Sequence, residues 1–100
     1  MSGKSVWEIF SEECPDVTSA FLELSRKLNV GGALEEKTRL LILVGIFSAI
    51  REPGALRHFI SEAFKSGASK QEIEAASLLP FSVGVSSAEM SIPIIVEMAK

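Results

Sequence analysis

The chain has 100 residues, 47% of them hydrophobic, and ten basic against thirteen acidic side chains give a net charge of -3. That length suits one small domain spanning residues 1–100, and the absence of a basic cluster argues against a nucleic-acid partner. A single cysteine, Cys14, cannot form an internal disulfide, and a single histidine far from it supplies no ligand cluster, so no metal and no other cofactor is expected.

No apolar leader opens the chain, which predicts a cytoplasmic location, and Met1 to Lys4 reads as a loose tail. Ser5 and Glu8 form an S-x-x-E capping box that starts a short helix ending near Glu13, with Trp7 and Phe10 on its apolar side. Pro15 suits the first turn of a second helix, because a proline lacks the N–H that would have no partner there. Val17, Ala20, Phe21, Leu24 and Leu28 recur at helical spacing up to Asn29. The paired Gly31 and Gly32 stop that helix.

A third helix is predicted from Glu35-Glu36, whose carboxylates complement the positive end of the helix dipole, to about Ile50. From Leu40 to Phe47 it is apolar on every side, yet that run is too short for a bilayer span, which needs about 20 residues, and no membrane partner is expected. A helix apolar all round has to be covered all round, and a domain this small cannot easily supply the cover. Another copy of the chain is the simplest partner, so a homo-oligomer is expected.

Pro53 opens a fourth helix whose stripe is Leu56, Phe59, Ile60, Ala63 and Phe64, and Gly67 marks its end. His58 lies nearly opposite that stripe, sharing a face with Glu62 and Lys65. Ser69 and Glu72 box the start of a fifth helix, which Pro80 interrupts, and Phe81 to Ser86 reads as a short connection or kinked continuation. A third S-x-x-E pair, Ser86 and Glu89, predicts the start of a last helix running toward Lys100, with Pro93 in its first turns. The fold class expected is all-α, one small domain of about six helices.

Leu56-Arg57-His58, Glu62-Ala63, Gly67-Ala68-Ser69 and Glu72-Ile73-Glu74, preceded by Leu34-Glu35-Glu36-Lys37-Thr38-Arg39-Leu40 and followed by Gly84, form an ordered series. It resembles the carboxymuconolactone decarboxylase family, within the alkylhydroperoxidase-D-like superfamily, over about residues 34–100. The resemblance implies that superfamily's helical-hairpin core and an assembly of dimers, trimers or hexamers; a hexamer is the first expectation and a trimer the second.

The superfamily's hydroperoxidase branch carries C-x-x-C-x-x-x-H, whose thiol positions fall here on Arg51 and Gly54, while its proton-relay glutamate falls near Leu40. A dithiol peroxidase mechanism is therefore not expected. The decarboxylase branch needs no thiols, and the resemblance to it implies a decarboxylase-like enzyme with His58 as acid/base on a small carboxylated molecule. The sequence departs from that branch at Gly54, which replaces a glutamate four residues before the histidine, and at Ser82-Val83-Gly84-Val85-Ser86, which stands where the branch favours aromatic-x-Gly-x-Pro. Arg51 and Arg57 are candidates to hold a substrate carboxylate, or else ordinary surface charges. The competing reading is a non-catalytic oligomeric binding or scaffold protein, with His58 an exposed side chain beside Glu62.

Overall fold

The computed structural model describes residues 3–99 and is all-helical. Its six α-helices are α1 (Val6–Glu13), α2 (Pro15–Leu28), α3 (Glu36–Ala49), α4 (Pro53–Lys65), α5 (Lys70–Leu78) and α6 (Phe81–Met98). Met1 and Ser2 of the expected tail, and Lys100 at the expected end of the last helix, lie outside the described residues. Internal contacts divide the chain into two compact units, with the boundary between Leu34 and Glu35.

The N-terminal unit is a helical hairpin. Ser5 Oγ accepts from the Glu8 N–H at 3.1 Å and the Glu8 carboxylate accepts from the Ser5 N–H at 3.1 Å, so the predicted box closes in both directions. Pro15 stands in the first turn of α2, and Trp7 packs on Phe10 and Phe21 with ring centroids 5.9 and 5.8 Å apart. After α2 the chain makes a tight turn at Val30–Gly32, where Gly31 and Gly32 take φ of 63° and 65°, a region costly for any residue with a Cβ. The Asn29 side chain clasps that turn, donating to the Leu34 carbonyl at 2.9 Å and accepting from its N–H at 3.0 Å.

The C-terminal unit holds the hydrophobic core. Leu40 and Val44 of α3 are 2% and 0% exposed and meet Ala63 of α4, Ala68, and Ile73 of α5. Phe47 stacks on Phe59 at 5.3 Å, fixing α3 on α4, and Lys37 Nζ reaches a Glu72 carboxylate oxygen at 3.1 Å, tying α3 to the start of α5. The circumference of α3 is thus divided. One side is core, one side approaches α5, and Ile42 and Ile46 remain about half exposed.

The approach to α5 depends on two residues. Pro80 has no N–H, so it cannot donate to the Ala76 carbonyl one turn back. That oxygen instead lies against Gly45, where an added Cβ would stand only 3.1 Å from it.

Ser69 and Glu72 box the start of α5, at 3.0 and 2.8 Å, and Gly67 takes the left-handed φ of 90° that ends α4. The third box is not formed. The last helix begins at Phe81, so Ser86 lies inside it, and Gly84 alone does not interrupt it. Pro93 also lies within α6.

Candidate functional site

His58 sits in the second turn of α4. Pro53 occupies the first turn, and the Glu52 carboxylate caps it by accepting from the Gly54 N–H at 3.2 Å. Because Leu56, Phe59, Ile60 and Ala63 turn toward the core, His58 is left on the outer face and is exposed, as is Arg57. Its ring meets the Phe59 ring edge-on at 4.9 Å. Glu62, the carboxylate one turn further on, pairs with Lys65 at 3.2 Å rather than with the imidazole. Among the described residues no ion pair engages His58, Arg57 or Arg51.

Arg51 lies elsewhere. It follows α3 and takes φ of 60°, the only described residue other than glycine with positive φ. A side chain in that region costs about 1–2 kcal/mol, because Cβ crowds the next carbonyl. The turn aims the chain from the end of α3 into the Glu52 cap of α4. Arg51 also lines an open cleft of about 510 Å³ with Ser48, Ser77, Pro80, Phe81 and Gly84. Ser48 Oγ is buried and has no hydrogen-bond partner, whereas Ser77 Oγ donates to the Glu74 carbonyl at 2.8 Å. The cleft thus offers one guanidinium, an apolar wall and no carboxylate, a setting suited to a small anion with an apolar body.

A second hollow of about 570 Å³ shares Ala49, Pro80 and Val83 with this cleft and is otherwise lined mainly by apolar side chains of α3 and α5. Neither hollow includes His58 or Arg57. Within one chain, the residues singled out in the sequence are therefore split between the outer face of α4 and the α3–α6 cleft. Ser48 was missed, since a serine inside an apolar helix carries no signal until the fold shows what it faces.

No group of three or more His, Cys, Asp or Glu side chains suited to a metal occurs among the described residues. Leu40, at the position of the hydroperoxidase branch's relay glutamate, is packed in the core.

The arrangement is an all-α helical-hairpin fold carrying one exposed histidine and no thiol beside it. The family model of the carboxymuconolactone decarboxylase family matches residues 15–92, and the chain belongs to that family. The match reaches back into α2, further than the motifs alone indicate. A crystal structure of a protein from Methanobacterium thermoautotrophicum is similar, with a TM-score of 0.77 and 28% identity, covering 86% of this chain and 97% of that one. No curated protein matches.

Proposed function

We propose that the chain works as a homo-oligomer, hexameric before trimeric, that binds a small carboxylated molecule and acts on it in a decarboxylase-like reaction. The observation that carries this reading is the Arg51 cleft, an open and largely apolar hollow whose one charged lining residue has no carboxylate partner among the described residues. The family name supplies the substrate class, a carboxylated lactone.

Loss of carbon dioxide leaves an electron pair on carbon, which a conjugated lactone carbonyl can accept, and the product then needs one proton at carbon. A protonated imidazole can donate it. His58 is the chain's sole imidazole, and its exposure leaves it free to face a neighbouring copy. Arg57, the adjacent residue, is the alternative anion anchor. No cofactor is required by this chemistry.

A non-catalytic binding or scaffold role is the second reading, favoured by the position of His58 outside both hollows. Turnover of carboxymuconolactone, followed by carbon dioxide release, separates the two. On the first reading His58→Ala lowers kcat by about 100-fold or more, the usual scale for a lost general acid, and Arg51→Ala raises KM. Unchanged turnover in His58→Ala excludes it as the essential acid/base. Carboxylate binding that is lost in Arg51→Ala, with no turnover by the wild type, supports the second reading.

A further inference from the structure

The end of α3 is closed by a pair of backbone bonds. The Arg51 N–H donates to the Ser48 carbonyl at 3.3 Å, and the Glu52 N–H reaches back to the Phe47 carbonyl at 3.1 Å. Such a pair ends a helix through a left-handed residue, most often glycine. Arg51 holds that place here, with φ of 60°. The two bonds pin the backbone, so the residue cannot relax by leaving the left-handed region. Glycine would fill the turn without a crowded Cβ, so what arginine adds is its side chain. Complementing the helix dipole does not explain it, because a cation anywhere in the last turn of α3 would do that in ordinary backbone, and that turn holds none. A costly conformation held fixed by its surroundings points to use.

Arg51 is the only charged residue lining its cleft, and Ala49, Pro80, Phe81 and Val83 make the wall apolar. The carbonyl end of α3, the negative end of that helix, borders the same space. The start of α6 does not offset it at Ser82 and Val83, whose N–H groups donate to the Leu79 and Pro80 carbonyls at 3.1 and 2.9 Å. One anionic group is therefore matched by one guanidinium. A second, at the far end of a ligand seated in the cleft, would meet apolar wall and no cation, and would lose hydration without gaining a partner.

We infer that the cleft takes a cyclic monocarboxylate, its carboxylate on the Arg51 guanidinium and its ring against Pro80, Phe81 and Val83, and that the left-handed turn is what aims the guanidinium there. This rests on the anion-binding reading of the cleft proposed above. It narrows the ligand from carboxylated molecules in general to those with a single carboxylate and a flat apolar body, which can stack offset on the Phe81 ring. Arg51 is then a specificity-determining residue: its single charge sets the charge of the ligand, and the apolar wall sets its shape. A dicarboxylate is the competing class.

The test is a nuclear magnetic resonance titration of the full chain with benzoate, acetate and terephthalate. Benzoate is expected to bind at least about 10-fold tighter than acetate, which has no ring to bury. It is expected to bind at least about 5-fold tighter than terephthalate, whose second carboxylate faces the apolar wall. Arg51→Ala and Arg51→Gly each weaken benzoate at least about 10-fold, the scale of a lost hydrogen bond to a charged group. Arg51→Lys keeps the charge without the planar fork and falls between wild type and Arg51→Gly. Both Ala and Gly variants lack the cation, so their difference in Tm at one protein concentration reads the strain of the turn. Arg51→Gly should melt about 4–8 °C above Arg51→Ala, and it keeps the binding test open if Arg51→Ala does not fold. Benzoate bound equally by wild type and Arg51→Gly overturns the site. Terephthalate bound as tightly as benzoate, and lost in Arg51→Gly, overturns the single-carboxylate class while leaving the carboxylate reading intact. A wild type that binds none of the three overturns both. Equal Tm for the Gly and Ala variants overturns the role given to the left-handed turn.

Discussion

Leu40→Ala is the substitution most directly tied to how this core is built. Leu40 is 2% exposed and sits among Val44, Ala63, Ala68 and Ile73. Truncation removes buried carbons and leaves a void, and losses for such changes run from about 2 to 5 kcal/mol according to how far the site can collapse. Collapse is restricted here, because the Phe47–Phe59 stack holds α3 on α4 and the Lys37–Glu72 pair ties it to α5. A loss of about 3–4 kcal/mol is therefore expected. Urea unfolding followed by circular dichroism reads it as a midpoint lower by about 1–4 M, given slopes of about 1–3 kcal/mol/M for small proteins. Protein concentration has to be held fixed, since association adds to apparent stability. Leu40→Met, which nearly conserves volume, should cost under about 1.5 kcal/mol. A loss below about 1 kcal/mol for Leu40→Ala would refute the core assignment.

Ser69→Ala should cost about 1 kcal/mol by removing the oxygen that accepts from the Glu72 N–H, measured by the same unfolding assay. The Glu72 carboxyl is held below its ordinary value of 4.5, first by the Ser69 backbone N–H and then by the Lys37 ammonium. Its native value being depressed, the stability it contributes is fully present above the ordinary value and is lost as pH falls through the native one. Glu72→Gln should therefore flatten the fall in urea midpoint over about pH 3 to 5, and an unchanged slope would count against the assignment.

Local chemistry was the most legible part of the sequence. Ser5 with Glu8 and Ser69 with Glu72 close as boxes because their serines have extended backbones, with ψ of 166° and 160°. Ser86 and Glu89 carry the same pattern, but five helical residues precede Ser86, so its backbone is never in the cap conformation. The S-x-x-E spacing does not encode that difference. Arg51 was illegible as a left-handed residue, since glycine is the usual signal for one. His58 could be placed on the outer face of its helix from spacing alone. The cleft could not be foreseen, because Ser48, Ser77 and Phe81 come from α3, α5 and α6 and meet only through tertiary packing.

The substantial packing within each unit joins helices that are neighbours in sequence or one element apart: α1 with α2, α3 with α4 and α5, and α4 with α5. Few long loops have to close before contacts form, and closure entropy grows only slowly with loop length. Helical proteins with such local contacts fold in microseconds to milliseconds. The contacts of the N-terminal hairpin and its Asn29 clasp lie wholly before Glu36 begins α3, so that unit needs no later residue to form them. The core residues, and the side chains packed on them, all precede the C-terminal helix, so the core closes without a contribution from α6.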